Sequence, residues 1–275
     1  MYERYCIIFF LFLFLLSGCS SLNITTRKEK PRKIEVITSI EHDKDYQKAV
    51  YCPLNKRIYA MDDNNNIEIF FKNKRIAKLG GIGTNNANFD RLTDIDLTLE
   101  NKLLALDSFA SEFKLFDSNG NLLSTKKLNN YKTPKYFSIN RDNTICIFDS
   151  SKRNFNFIDN FSMELLFSFG KMEIPLVSDL SITKKNINIY NKDSKQTYIY
   201  NSLGRFDKKI KGYCKYDQYN NLFYLNKNYL EIDKDRYCFT VTEWRYFSIH
   251  NRHIILLSSK EIRVCKIIYE STINE

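Results

Sequence analysis

Six side chains recur at one position of the chain's repeated strand-like segments. Each lies 9–11 residues ahead of a small polar residue that ends the next segment: Tyr51, Asp96, Ser138, Ser181, Asp217 and Ser248. Carboxylate and hydroxyl oxygens are ligands that Ca²⁺ accepts, so Asp96 and Asp217 are weak candidates for a cation site in a central channel. The same side chains can instead point at neighbouring segments. The sequence favours a hydrated channel lining over a metal site.

His250 and His253 are the two histidines that lie close together, and they flank a predicted tight turn. A zinc site needs a third and often a fourth ligand, and no cysteine or acidic residue stands at ligand spacing beside them. We interpret them as ordinary turn residues and predict no metal and no cofactor. Because no metalloprotease, P-loop or nucleophile-elbow motif occurs, no catalytic residue is predicted. The cysteines beyond Cys19 are predicted to be small buried residues.

The chain begins with an apolar run that ends at a cysteine. The run covers residues 6–16, which is too short to span a bilayer as a helix but fits a secretory signal peptide. The following Leu16-Ser17-Gly18-Cys19 resembles a bacterial lipobox. It implies that Cys19 is acylated and becomes the new N-terminus. We therefore predict a signal peptide over residues 1–18, lipidated Cys19 with a polar tether over residues 19–32, and an uncleaved anchor helix as the alternative.

Short runs of β-branched and aromatic residues recur from Ala49 to Ile267, separated by Asn, Asp, Gly, Ser and Lys. The second run of each group ends in a small polar residue, which we call the marker. The markers are Asp62, Asp107, Asp149, Asn191, Asn226 and Ser258. Four short antiparallel strands per ~40 residues predict an all-β, six-bladed β-propeller over residues 33–275.

The end of this ring needs a strand from elsewhere, because the sixth unit leaves no room for a full outer strand before the chain ends. Residues 33–40, KIEVITSI, form an unused strand-like run just ahead of the first unit. We predict that this run supplies the missing outer strand and closes the ring, since an open ring would leave unpaired edges. A β-sandwich with a small all-β appendage is the alternative.

One unit, GGIGTNNANFDRLTDIDLTLENKLLALDSFASEFKLFDSNGNLL, resembles an NHL repeat. The matching residues are Gly80, Gly81, Gly83, Phe89, Asp107, Phe116, Asp117 and Gly120, whereas Thr93 stands where proline is usual. The resemblance implies a six-bladed propeller and no single activity. It also implies binding of RNA or protein on the side of the ring that carries the loops after the markers and between the blades, which we call the loop face.

The loop face combines basic and aromatic side chains in a chain with 42 Lys and Arg against 32 Asp and Glu. Such a surface suits anionic or protein ligands, although a merely solvated rim is the alternative. The candidate binding residues are Phe89, Arg91, Phe109, Tyr131, Lys152, Arg153, Lys192 and Lys195.

These features together predict a lipid-anchored propeller on a bacterial cell membrane or outer membrane, with its body outside the cytoplasm. It would bind a protein or an envelope component as a binding or scaffold module, and export argues against nucleic acid. The alternatives are a propeller hydrolase or lyase with a channel cation at Asp96 and Asp217, or a carbohydrate-binding lipoprotein.

Overall fold

The computed structural model describes residues 29–81, 85–170, 176–226, 229–232, 235–238 and 243–271. Within these ranges the chain forms 24 strands, arranged as six antiparallel sheets of four strands each. No helix in the described ranges is long and apolar enough to cross a membrane. The predicted signal peptide, Cys19 and most of the predicted tether lie outside the described residues.

Each sheet is one blade, and five of the six are built from four consecutive strands. Blade one contains β2 (Tyr46–Cys52), β3 (Arg57–Asp62), β4 (Asn66–Phe71) and β5 (Lys74–Gly80). Blade two contains β6 (Leu92–Leu97), β7 (Leu103–Asp107), β8 (Glu112–Phe116) and β9 (Leu122–Lys127). Blade three contains β10 (Pro134–Ile139), β11 (Thr144–Asp149), β12 (Asn154–Asp159) and β13 (Leu165–Phe169).

The remaining blades follow the same plan except at the outer edge of the last one. Blade four contains β14 (Asp179–Ile182), β15 (Asn186–Asn191), β16 (Gln196–Asn201) and β17 (Phe206–Lys211). Blade five contains β18 (Tyr213–Tyr216), β19 (Leu222–Leu225), β20 (Tyr229–Ile232) and β21 (Asp235–Cys238). Blade six contains β22 (Tyr246–His250), β23 (His253–Leu257), β24 (Glu261–Ser271) and β1 (Glu29–Glu41).

The N-terminal strand closes the ring, as predicted. β1 pairs antiparallel with β24, from Glu29 opposite Ser271 to Glu41 opposite Glu261. The strand begins at Glu29, inside the predicted tether, and shifts register after Pro31. A proline is tolerated there because an outer edge strand has backbone N–H groups that need no ladder partner.

At five of the six markers the side chain holds the turn that follows its strand, by accepting a backbone N–H of that turn. The carboxylate of Asp62 accepts hydrogen bonds from the backbone N–H groups of Asn64 and Asn66, each at 2.9 Å. The carboxylate of Asp107 accepts from Asp90 at 2.8 Å and Arg91 at 3.0 Å, which ties blade two to the connection that precedes it. The period in the sequence therefore reflects one repeated turn geometry.

The described cysteines whose side chains are placed lie buried in the blades as free thiols: Cys52, Cys146, Cys214 and Cys265. Burial raises the pKa of Cys214 to about 11 and that of Cys265 to about 12. Because the thiolate is the reactive form, these cysteines are packing residues, as the sequence predicts.

Candidate functional site

The first strands of the six blades surround the central channel, where strands of neighbouring blades contact one another. Side chains two residues apart on a strand point to the same side, so their register across blades defines rings. In the first ring, each residue pairs, within its own blade, with the residue just before the marker. This ring consists of Lys48, Asp94, Tyr136, Asp179, Tyr213 and Tyr246. The second ring, two residues further along, consists of Val50, Asp96, Ser138, Ser181, Lys215 and Ser248.

Four of the six predicted channel residues lie in the second ring, but Tyr51 and Asp217 do not. Tyr51 is one residue past Val50, and a step of one residue turns a side chain to the opposite side of the strand. Its ring packs against His253, with centroids 5.3 Å apart. Asp217 follows the end of β18, two residues past Lys215. The prediction was wrong at Tyr51, because the spacing to the marker varies with turn length, whereas Asp217 lies outside the second ring but still lines the channel.

Second-ring side chains of blades two and three connect their first strands to the next blade. Asp96 accepts hydrogen bonds from the backbone N–H of Leu97 at 2.8 Å and of Ile139, in blade three, at 3.1 Å. The hydroxyl of Ser138 accepts from the N–H of Ile182, in blade four, at 3.3 Å. These side chains therefore join the blades.

The two carboxylates that are weak cation candidates are both engaged by the protein. Asp217 accepts from the N–H groups of Tyr219 and Asn221, at 2.9 and 2.8 Å, and from the hydroxyl of Tyr269 at 2.8 Å. Across the described residues, no group of three or more His, Cys, Asp or Glu side chains is arranged to hold a metal ion.

Two buried ion pairs lie deeper in the channel. The ammonium of Lys48 is 2.6 Å from a carboxylate oxygen of Asp94, and that of Lys215 is 2.6 Å from Asp179. Each pair joins two neighbouring blades. Asp94 also accepts from the N–H of Phe137 at 2.8 Å, and Asp179 accepts from the hydroxyl of Tyr213 at 2.7 Å. Charges this deeply buried need such partners, because desolvation alone would cost several kcal/mol per ion.

Burial and the neighbouring charges act in opposite directions on these groups. Burial raises the pKa of Asp94 to about 6, although Lys48 and the N–H of Phe137 act to lower it. Burial disfavours the charged form of Lys48, yet Asp94 holds the pKa of this lysine well above its ordinary value. Burial lowers the pKa of Lys215, against the attraction of Asp179.

Tyr246 lies between the two lysines. Its ring centroid is 4.8 Å from the ammonium of Lys215 and 6.0 Å from that of Lys48. The side chain is 7% exposed, and its hydroxyl is buried without a hydrogen-bond partner among the described residues. Burial holds its pKa well above the ordinary value, so the phenol stays neutral. A buried hydroxyl without a partner destabilises the fold by about 1–3 kcal/mol, and a ligand or water that accepts its hydrogen bond would remove this cost.

Lys48, Lys215 and Tyr246 together form what we call the floor of a cavity of about 720 Å³. The cavity extends to the turns between the first and second strands, and its lining there includes Leu99, Arg141, Lys184, Gln218 and Asn251. We call this side of the ring the turn face. Because the strands are antiparallel, it lies opposite the loop face. The cavity therefore reaches the side on which the sequence predicted no binding residues.

The N-terminal strand starts beside this cavity. The backbone oxygen of Glu29 accepts a hydrogen bond from the side chain of Asn221 at 2.9 Å, and its carboxylate lies 3.0 Å from Arg252. Arg252 in turn donates to the hydroxyl of Tyr219, which lines the cavity, at 3.3 Å. β1 thus begins at the turn face.

Most of the predicted loop-face residues are accessible, but Phe89 is buried. Phe89 is 1% exposed, with its ring centroid 6.0 Å from that of Phe116. It lies against Gly80, where an added Cβ would come within 2.6 Å of the Phe89 ring. Gly80 has a φ of +82° and no side chain, so the ring can cover this backbone. Phe89 therefore packs the connection between blades one and two and is unavailable to a partner.

The other loop-face candidates differ in exposure. Tyr131 and Arg153 are half-buried, and burial raises the pKa of Tyr131 to about 12. The ammonium of Lys152 lies 3.1 Å from the backbone oxygen of Asn130. Phe109 is 79% exposed. The fully accessible residues are Arg91, Phe109, Lys152, Lys192 and Lys195.

The floor residues were missed by the sequence analysis, although a signal for them exists. Lys48 stands in the run YQKAVYC and Lys215 in YCKY, both otherwise free of charged residues. Lysine is almost never buried unless it is paired. A charged residue within a strand that must be buried therefore indicates a paired interior site, whatever its distance from the marker.

Comparison with known proteins adds evidence on the fold. No protein-family model and no curated protein matches the sequence. The structure is similar to that of a catalytically inactive virginiamycin B lyase from Staphylococcus aureus with quinupristin, with a TM-score of 0.56 and 12% identity over 90% of this chain and 98% of that chain. A likeness at this identity shows the fold alone. The chain is a six-bladed β-propeller.

Two further structures give the same result. Selenomethionine-substituted virginiamycin B lyase from Staphylococcus aureus has a TM-score of 0.53 and 11% identity over 80% of each chain. A streptogramin B lyase has a TM-score of 0.53 and 9% identity over 80% of this propeller and 78% of that chain. The resemblance of blade two to an NHL repeat stays a prediction.

Proposed function

We propose that this propeller is a lipid-anchored binding module of the bacterial cell envelope that takes its ligand into the central cavity. The observation that carries the proposal is the cavity of about 720 Å³ with a charged floor and an unpartnered tyrosine hydroxyl. Cavities of this size accommodate small molecules and bury most of their surface. The repeats are diverged NHL-like units, and the body lies outside the cytoplasm.

The anchor is Cys19, acylated after cleavage of the signal peptide. Two or three acyl chains hold a protein stably on a membrane, whereas a single chain does not. Residues 20–28 separate Cys19 from Glu29, which lies at the turn face. Glu29, the described residue nearest to Cys19 in the chain, is thus on the same side of the ring as the cavity, and this favours a ligand that comes from the membrane surface.

A protein partner on the loop face is a second candidate, favoured by the exposure of Phe109 beside basic turns. Phe109, Lys152 and Lys192 occupy the turns after the second strands of blades two, three and four, so they lie on neighbouring blades. An exposed aromatic residue among cations suits an acidic protein surface. The lyase alternative has less support, because Asp96 and Asp217 are engaged by backbone N–H groups.

Native mass spectrometry of the endogenous protein tests the cavity. Wild type should carry a bound small molecule, and Ser181→Trp, which places an indole in the cavity wall, should lose it. Lys192→Glu, on the loop face, should keep the molecule. An empty cavity in wild type, or the same occupancy in Ser181→Trp, would contradict the proposal. A change in captured proteins with Lys192→Glu alone would favour the second candidate.

Metabolic labelling tests the anchor. Radiolabelled palmitate should appear in wild type and be absent from Cys19→Ser. Equal labelling of the two proteins, or no labelling of wild type, would refute acylation of Cys19.

A further inference from the structure

We propose that the floor of the cavity binds an anionic oxygen group of the ligand, a carboxylate or a phosphate, through Lys48, Lys215 and Tyr246. The inference rests on the proposed function and specifies the chemical class of the ligand. It concerns the floor only and requires no metal and no covalent step.

The two lysines of the floor have more N–H donors than their aspartate partners use. Each lysine ammonium has three N–H donors. Lys48 gives one of them to Asp94 and Lys215 gives one to Asp179, both at 2.6 Å. N–H groups therefore remain on both ammoniums at the bottom of the cavity. Charge-assisted hydrogen bonds from such groups to carboxylate or phosphate oxygens are the strong ones.

The hydroxyl of Tyr246 is a further donor at the floor, independent of the two lysines. It is buried, it belongs to a residue that lines the cavity, and it has no partner among the described residues. It lies on the ring that both lysines approach, at 4.8 and 6.0 Å from the centroid. One acceptor atom placed at the floor can receive hydrogen bonds from the phenol and the ammoniums together, and an anionic oxygen does this best.

At the floor, the positions of the carboxylates argue against a cationic ligand, whereas Asp96, Asp142 and Asp217 line the cavity outside the floor. Asp94 and Asp179 contact the lysines, and it is the lysines that line the cavity. Asp94 also accepts two backbone N–H groups, from Ile95 and Phe137. Its oxygens are thus already used, whereas the donors of the floor are not. A ligand that supplies acceptors completes the hydrogen bonds of this site, and one that supplies donors does not.

Calorimetric titration of the full chain in detergent with inorganic phosphate and with acetate, at constant ionic strength, tests the inference. Tetramethylammonium chloride is the cation control. Wild type should bind the two anions saturably and the cation not at all. Tyr246→Phe should weaken anion binding about tenfold, the loss of one hydrogen bond to a charged group, equal to about 1.4 kcal/mol.

A double variant controls for the cost of unpairing a buried charge. Lys215→Met with Asp179→Asn removes the ammonium and keeps the floor neutral, and it should weaken phosphate binding at least tenfold. Lys209→Met removes an exposed lysine from β17, the outer strand of blade four, and should leave the affinity within twofold. Urea unfolding of each variant confirms that it is folded before it is titrated.

The inference is overturned if wild type binds neither anion, or if Tyr246→Phe and the double variant bind phosphate as wild type does. Unchanged phosphate binding in both variants would mean that the hydroxyl of Tyr246 contacts only water. If native mass spectrometry finds a ligand that Ser181→Trp loses while both anions fail to bind, the anion site is wrong and the proposed function stands. If the anions bind at the floor but no molecule copurifies with wild type, the anion site stands and the proposed function fails.

A competition arm distinguishes the two sources of such a group. Phosphatidic acid in detergent micelles should displace phosphate from the Tyr246-dependent site if the group belongs to a lipid headgroup. If the micelles do not compete, the group belongs to a soluble acid. Either result supports an anion site, and displacement that persists in Tyr246→Phe contradicts it.

Discussion

Removing the lysine of one buried ion pair should destabilise the fold in a pH-dependent way. Lys48→Met leaves the Asp94 carboxylate with its two backbone N–H donors and no cation, at 1% exposure. Breaking a buried pair from one side costs about 3–5 kcal/mol, because the remaining charge is uncompensated. We expect a loss of that size in the free energy of unfolding at pH 7.

The loss should become smaller as the pH falls. Asp94 has a pKa of about 6 in the folded wild type, raised by burial, and about 3.9 when unfolded. A carboxyl whose folded-state pKa is raised stabilises the fold at low pH and loses that contribution as the pH rises through the folded-state pKa. Without Lys48 the folded-state pKa of Asp94 rises further, so folding of the variant takes up a proton at every pH from 7 to 5, and the variant gains stability over that whole range as the pH falls. Folding of wild type takes up the proton only below the folded-state pKa, so wild type gains stability over about half of that range. The difference of about one pH unit equals ~1.4 kcal/mol.

Urea unfolding at pH 5, 6 and 7 measures this effect, with the fluorescence of Trp244 as the signal. Trp244 is the single tryptophan of the chain and is buried. Lys48→Met with Asp94→Asn should recover to within about 1.5 kcal/mol of wild type, because no unpaired charge remains. Lys33→Met breaks the exposed pair with Glu35 and should leave the urea midpoint unchanged within the error of the assay. An equal or larger loss at pH 5 for Lys48→Met would refute the assignment of Asp94 as the titrating group.

Two further predictions concern packing and orientation. Phe89→Ala should lower the free energy of unfolding by about 3–5 kcal/mol, since the ring is fully buried, whereas the exposed Phe109→Ala should stay within ~0.5 kcal/mol in the same urea assay. In vesicles that contain a membrane quencher, a fluorophore on Lys184→Cys at the turn face should be quenched more than one on Lys192→Cys at the loop face. The seven residues of β2 place the two faces at least ~23 Å apart. Cys19→Ser should abolish the difference in quenching between the two labelled positions. Stronger quenching at Lys192→Cys would contradict the orientation.

The blades could be predicted from the sequence because they depend on local pattern. Five of the six markers accept N–H groups of their own turns, so the role of such a marker is confined to a few positions, as Asp62 shows with Asn64 and Asn66. The closing strand followed from counting strands against units. Phe89 was misplaced because the loop it belongs to is accessible, whereas its own ring covers Gly80, a contact that the spacing of residues does not reveal.

The floor of the cavity could not be predicted in this way, because its contacts join residues far apart in the chain. Asp94 pairs with a lysine 46 positions earlier, and Asp179 with one 36 positions later. Which first-strand residues meet depends on the register of six blades together. A single slip of one residue, as at Tyr51, moves a side chain from the channel into a blade.

The same geometry links the closure of the ring to the site. Lys48 belongs to blade one and Asp94 to blade two, Asp179 to blade four and Lys215 to blade five, so neither of these two ion pairs lies within a single blade. Tyr246 comes from blade six, whose outer edge is β1. Closing the ring buries these charges and brings each one to its partner in the same step, which avoids the cost of several kcal/mol for a buried unpaired ion. The floor therefore forms only where neighbouring blades meet. The strand that completes blade six thus also helps to hold Tyr246 beside the two lysines.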